Sequence, residues 1–302
     1  MPLQCRVLDK GVQLTLVANI LIDGLSYGMV LFIIAVGLSV TLGLMRFINL
    51  AHGAFAMTGG YLAAWLIRVQ GVAFVPGVLL AVLVTGVIGA LLEVLVLRRL
   101  YRRTELEQVL FTIGLTFLFV ATANLLFGPE VQLIPLPHWL SGAVDLGMRT
   151  LPAQRLLVIA AGAAVLLGSA LLLNRSRFGI WLRATVDNTG AASALGIPIQ
   201  RVYVITFAVG AALAGLGGIL GAELMPLEPY YPIKYLVLML VVVAVGGMGS
   251  IAGSAVAALV LGTIETASKY LASEYGSLFF FVAMALLLAW RPRGLLRRRE
   301  NL

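Results

Sequence analysis

Along this chain, apolar windows of about 20 residues recur almost from end to end, each the length of helix that crosses about 30 Å of hydrocarbon. About eight spans are predicted, roughly Leu14 to Leu44, Ala54 to Ile67, Phe74 to Leu97, Val109 to Phe127, Leu156 to Leu173, Val202 to Gly221, Tyr235 to Leu261 with an interruption, and Ser277 to Trp290. No segment between them is long enough to bury a core of its own, so one bundle domain over residues 1–302 is expected. The fold class is all-α integral membrane protein, with Gly-broken segments in both halves.

Arginine clusters orient the spans. "RRLYRR" (Arg98 to Arg103), "NRSRFGIWLR" (Asn174 to Arg183) and "RPRGLLRRR" (Arg291 to Arg299) are expected on the cytoplasmic side, and Arg46 with them. Two clusters on one face require an even number of crossings between them. That parity holds from Arg201 to Arg291 only if the run from Tyr235 breaks at "GGMGS" (Gly246 to Ser250) and a second segment continues to about Tyr270. On this plan the N-terminus is external. So is the loop Gly128 to Pro152, which carries Pro129, Pro135 and Pro137.

Composition agrees: 61% of the residues are hydrophobic and 11% charged, with a mean hydropathy of +1.04, far outside the range of soluble domains. The first apolar run is too long for a cleavable signal peptide. A net charge of +8 does not point to nucleic acid, because the basic residues sit beside the spans and not among aromatics on a soluble face. Cys5 is the only cysteine, and the two histidines, His52 and His138, are far apart, which argues against a disulfide, a thiolate cluster or a His-based metal site.

Polar groups inside such a chain are the candidates for chemistry. "MRFINLAHGAFAMTGGY" (Met45 to Tyr61) gathers an arginine, an asparagine and a histidine before a run of small residues. In mid-bilayer Arg46 would cost about 2.5 to 3.5 kcal/mol, so the patch belongs at a boundary or beside a watery cavity. At helical spacing Asn49, Gly53, Ala56 and Gly60 share one stripe with His52 beside it, where a helix or a solute could approach closely. "VGGMGSIAGSAVAALVLG" (Val245 to Gly262) repeats the pattern of an apolar run, a break and a small-residue helix. Paired interruptions of this kind point to a central pathway between structural repeats. Ordinary helix packing competes with that reading, since "GLSYG" (Gly24 to Gly28) and Gly217 to Gly221 show the same spacing without polar company.

Of the intramembrane acids, Glu265 stands one turn before Lys269 and Glu93 lies near Arg98, where it can snorkel, so both read as structural. Asp23 has no evident partner. The lysines, Lys10, Lys234 and Lys269, are followed by Gly, Tyr and Tyr, which excludes a phosphate-cradling GxxxxGK[ST] loop, and protease and nucleophile-elbow motifs are missing too. The chain is therefore not expected to be an enzyme, and uphill transport would draw its energy from a partner. Attention falls on Ser176 to Val202, too polar to span, in which "NTGAASALGIP" predicts a short amphipathic helix ended by Gly196 and Pro198. Ala191, Ala192 and Leu195 would form its apolar face, lying on lipid or docking into a partner.

"INLAHGAFAMTGGYLA", "FGIWLRATVDNTGAASALGI" and "GGMGSIAGSAVAALVLGTIE", in this order and spacing, resemble the LivH-type permeases of ABC transporters for branched-chain amino acids, over about Leu21 to Pro292. The resemblance implies a multi-pass subunit of the bacterial inner membrane. Its implied partners are a second homologous permease, two cytoplasmic ATP-binding subunits and a soluble periplasmic or extracellular solute-binding protein. No cofactor belongs to the chain itself, ATP being bound by the partners. It also implies a coupling loop at about 174–201, in which Ala191, Ala192, Gly196, Ile197 and Pro198 touch the ATPase. Asn49, His52 and Gly53 match the family's Asn-x-x-His-Gly segment, and Gly246, Gly247, Gly249 and Ser250 its Gly-rich one, so these seven are the expected pathway residues. Two features depart from the pattern: the coupling loop lacks the leading Glu of the general importer motif, and Leu50 stands where Phe is commoner. Urea, short amides or other amino acids as cargo remain open, as does a stand-alone channel or facilitator.

Overall fold

Each predicted apolar block is helical in the computed structural model, which describes residues 10–45, 47–101, 103–145, 150–291 and 294–295. In chain order the helices are α1 (Lys10–Leu44), α2 (His52–Arg68), α3 (Phe74–Leu95), α4 (Glu105–Phe127), α5 (His138–Ser141), α6 (Ala153–Arg175) and α7 (Arg177–Asp187). They continue with α8 (Thr189–Ala194), α9 (Ile199–Leu220), α10 (Tyr231–Lys234), α11 (Leu236–Gly246), α12 (Ile251–Leu271) and α13 (Gly276–Trp290). Among the described residues, six helices are long and apolar enough to cross a membrane: α1, α3, α4, α6, α9 and α12. The stretches Tyr231–Gly246 and Leu278–Trp290 are apolar but shorter. One small exception to the all-helical expectation is a hairpin in which Ala143–Asp145 pairs antiparallel with Thr150–Pro152. Arg46, Arg102, Cys5 and Arg297 to Arg299 lie outside the described residues.

Small residues set the packing, as expected where lipid is no less apolar than a leucine and close contact must hold helices together. The centre is α1, whose Val30 to Ala35 are fully buried. Gly24 and Gly28 press it against α12, where added methyls would lie 2.7 Å from Thr263 Cα and 2.9 Å from Leu259 Cα. Its Ser39 accepts a 3.0 Å hydrogen bond from Ser254 of α12. On the other side Gly37 meets Gly210 of α9, while Gly86 and Gly89 of α3 meet Ala208 and Ala211 of the same helix. "GLSYG" and Gly217 to Gly221 are thus helix-contact surfaces.

One end of the bundle collects the arginine clusters. The 3-10 turn Leu97–Leu100 is tied to the start of α9 by Arg98 and Gln200, 3.3 Å apart. Glu93 is fully buried there and receives Arg98 at 3.1 Å and the Tyr101 hydroxyl at 3.2 Å. The ion pair read from sequence exists, but the acid does not snorkel: the arginine reaches in to it. At the opposite end Lys269 pairs with Glu265 at 2.7 Å. Asp23 corrects the expectation outright. It is buried, ion-paired with Arg155 of α6 and hydrogen-bonded by Tyr270 of α12 at 2.5 Å, so partners 132 and 247 residues distant close the charge.

Two halves repeat one plan in opposite directions. The order long helix, interrupted crossing, helix, 3-10 turn, helix describes α1 to α4 and again α9 to α13, with Ser273–Tyr275 as the second 3-10 turn. Helix α1 finishes at the arginine-rich end, where Gly43 abuts Gly249, whereas α9 starts there. Inverted repeats of this sort place pathway elements at their interrupted segments.

Candidate functional site

The first interruption is a crossing that begins without helix. After α1, residues 47–51 run back into the bundle beside the first turns of α4 before α2 begins at His52. The alignment with α4 is progressive. Ile48 N–H donates to Gln108 Oε1 and Leu50 N–H to Thr112 Oγ1, both at 3.2 Å, then Phe55 packs edge-on to Phe119 and Tyr61 against Phe127. Non-helical backbone away from water survives only where protein groups satisfy it, and here two side chains of α4 do so. Gln108 is itself held in place, its amide donating to the Leu100 and Arg103 carbonyls at 3.3 and 3.2 Å.

Within this stretch Asn49 and His52 are each about 1% exposed. Asn49 Oδ1 accepts from Ala51 N–H at 3.1 Å, and its Nδ2 has no hydrogen-bond partner among the described residues. The Tyr61 hydroxyl, farther along α2, is likewise buried without a partner there. His52 Nε2 lies 3.0 Å from the Ile34 carbonyl, and an added methyl on Gly37 would meet its Cε1 at 2.9 Å. A histidine pinned to a helix carbonyl braces α1 against α2. Gly53 faces Pro232, with an added methyl 3.1 Å from the proline Cα, and Gly60 faces Leu227.

Those neighbours belong to a second interrupted crossing, in a stretch that lies between two of the predicted spans. From Gly221 the chain turns into the bundle and passes Leu227 against Gly60 and then Pro232 against Gly53, antiparallel to α2. Apart from the single turn α10, it becomes regular helix only at α11, whose 11 residues span about 17 Å, half a bilayer core. Met225, Leu227 and Tyr231 are fully buried along it. Pro226, Pro229 and Pro232, at three-residue spacing beside an apolar run, were the available signal. Gln108 and Thr112 were also missed, since nothing local distinguishes them from other polar residues of a helix.

Gly246, Gly247, Gly249 and Ser250 lie elsewhere, in the reversal between α11 and α12 at the arginine-rich end. Gly247 and Gly249 take φ of 94° and 80°, which side-chain-bearing residues rarely adopt. Ser250 caps α12 by accepting from Gly253 N–H at 3.0 Å, and Leu295 N–H reaches the Val245 carbonyl at 2.8 Å. The expected pathway residues therefore fall into two places. Asn49, His52 and Gly53 sit inside the bundle, and the glycine turn sits at its arginine-rich end, against Gly43.

Ser176 to Val202 begins with two helices on that same end, of which α8 falls on the predicted amphipathic stretch and α7 precedes it. Ser176 caps α7, and Asn188 caps α8 by accepting from Ala191 N–H at 2.9 Å. Leu182 and Val202 are buried together with Ile197 packed against them, which fastens the segment to α9. Ala191, Ala192 and Leu195 do not share one exposed face, as had been expected: Ala192 is buried, while Leu195 is 80% exposed beside Gly196, whose φ is 77°. No cluster of His, Cys, Asp and Glu that could hold a metal ion occurs among the described residues.

A multi-helix bundle with two oppositely directed interrupted crossings and a capped helical loop at its basic end defines a membrane transport component. The chain belongs to the family described as branched-chain amino acid transport system, permease component, whose model matches residues 20–289. It is accordingly a multi-pass, non-catalytic transmembrane subunit. The chain is 28% identical to the high-affinity branched-chain amino acid transport permease BraD of Pseudomonas aeruginosa, over 93% of this chain and 95% of that one. It is 26% identical to LivH of Escherichia coli, over 92% and 94%, and 26% identical to LivM of the same organism, over 91% of this chain and 69% of that one. No solved structure matches it.

Proposed function

We propose that the chain is one half of the inner-membrane pathway of an ATP-driven importer of branched-chain amino acids, working by alternating access. About eight crossings, the arginine-rich end facing the cytoplasm and a single permease domain complete this reading. The partners are a second permease of similar sequence, two cytoplasmic ATP-binding subunits that supply the energy, and a solute-binding protein on the outer face. In this scheme the ATPases bear on the loop 174–201 through the exposed Ala191 and Gly196 and the half-buried Ile197 and Pro198, while the buried Ala192, expected among the contacts, anchors the loop from within. The motion reaches the crossing that carries Asn49, His52 and Gly53 through the turn Gly246 to Ser250.

The observation that carries the coupling in this reading is Leu195, 80% exposed at the C-terminal end of the capped helix α8 on the basic end. A large apolar side chain held out there on a rigid support, beside a glycine with open space around it, suits insertion into a cytoplasmic partner. Gly196→Trp tests it. The variant inserts in the membrane and assembles, yet in proteoliposomes loaded with ATP it loses most leucine uptake while hydrolysis continues. Normal uptake by that variant would remove the coupling assignment.

A further inference from the structure

A half-open cleft of about 470 Å³ lies at the end of the bundle opposite the arginine clusters, where the second crossing turns inward from α9. That volume is in the range of small-molecule sites. Its walls include Ile134, Leu157 and Ile219, and its polar groups include Arg68 and Glu223. The two charges are not ion-paired to each other, and Arg68 has no hydrogen bond or ion pair among the described residues. Glu223 is positioned: the amide nitrogen of Gln154, itself only 6% exposed, donates to both carboxylate oxygens at 2.5 and 2.6 Å in the orientation that satisfies both groups. The rim is anchored where Gln132 N–H donates to the Leu227 carbonyl at 2.9 Å.

Opposite charges that line one largely apolar cleft without pairing with each other are complementary to a small molecule that carries both signs and an aliphatic body. We infer that the cleft is a contact site for a free zwitterionic amino acid. Arg68 receives the carboxylate through its guanidinium fork, Glu223 receives the ammonium, and the aliphatic walls cover the side chain. The inference rests on the permease reading above and extends it to a site on this chain, separate from selection by a solute-binding protein.

The test uses the purified complex with its partner permease and ATPases, without solute-binding protein. Saturation-transfer NMR compares L-leucine with L-leucinamide, which lacks the carboxylate, and with 4-methylpentanoate, which lacks the ammonium. The wild-type complex should prefer leucine to each by about five- to tenfold, the order of one partly exposed charged hydrogen bond. Arg68→Gln should abolish the preference over leucinamide alone, and Glu223→Gln the preference over 4-methylpentanoate alone. Arg68→Lys should restore part of the first. A merely structural role would not separate the two analogues. The inference is overturned if both preferences survive both substitutions, or if the variants lose only capture of the solute-binding protein, which would make the cleft a protein-docking surface. It also fails if a preparation that imports leucine with its binding protein gives no leucine response alone. Absence of branched-chain amino acid uptake by the complete system would instead defeat the functional reading itself.

Discussion

The two interrupted crossings solve one backbone problem in different ways. Residues 47–51, entering from the arginine-rich end, borrow acceptors from Gln108 and Thr112 of α4. Residues 221–235, entering from the other end, mostly bond locally, with Met225 N–H donating to Gly221, Tyr231 to Glu228 and Tyr235 to Tyr231 at 2.8, 2.9 and 3.1 Å, and accept one distant bond at the Leu227 carbonyl from Gln132. The first crossing is accordingly polar, stitched over about sixty residues of sequence and furnished with buried Asn49 and His52. The second is apolar where it is buried, its charges Glu223, Glu228 and Lys234 lying nearer the surface, and it is locally turned and held by the packing of Met225, Leu227 and Tyr231. The polar one is therefore expected to answer to movements of α4, while the apolar one moves only as a packed unit.

The largest effect is expected where the first crossing touches α9 backbone to backbone. An added methyl on Gly218 would run into the Ala56 carbonyl, and one on Gly59 into Gly215, with no flexible side chain in between to yield. Gly218→Leu should therefore cost about 3 kcal/mol or more, the upper range for overpacking, because α2 must leave its place. Thermal loss of the monodisperse species in detergent measures it. A variant as stable as its parent would mean that α2 is not held where the comparison requires.

Removing a stitch ranks next. Thr112→Val keeps the shape and leaves the Leu50 N–H without its acceptor, at a cost of about 1 to 3 kcal/mol. Hydrogen exchange should quicken at residues 47–51 and stay unchanged at Leu224, Met225, Tyr231 and Tyr235, whose N–H groups donate locally. Equal quickening in both would show that the two crossings form one cooperative unit and would dissolve the distinction.

This asymmetry also explains what was legible in the sequence. Spans were legible because about 20 apolar residues admit few other structures, and the break at Gly246 to Ser250 because parity required it. The patch around Asn49 was visible as a polar anomaly, yet its partners were not, since Gln108 and Thr112 are ordinary polar residues until the fold brings them near. Asp23 misled for the same reason: Arg155 and Tyr270 reach it only in three dimensions. The second crossing escaped notice because Glu223, Glu228 and Lys234 give it the composition of a loop between spans, and its prolines were the one local sign of a structured segment. The cleft near Glu223 escaped because Arg68, Gln154 and Glu223 come from three separate helical ends.

The smallest expected effect gives the sharpest test of the comparison. Tyr231 is fully buried in the second crossing, and among the described residues its hydroxyl has one weak contact, Met225 Sδ at 3.9 Å. A buried hydroxyl satisfied only by a thioether gains little from being there, so Tyr231→Phe should change stability by less than about 1 kcal/mol in either direction. Uptake should be unaffected as well if this crossing acts through packing. A loss of about 2 kcal/mol or more on this substitution would mean that the hydroxyl has a stronger partner in the working protein, such as a bound water or the passing solute. The second crossing would then be polar in use, and the functional distinction between the two would disappear even though their backbones are satisfied differently. A near-neutral result, beside a measurable cost for Thr112→Val, would place the polar chemistry of the bundle on the first crossing, where Asn49 Nδ2 is buried without a partner among the described residues.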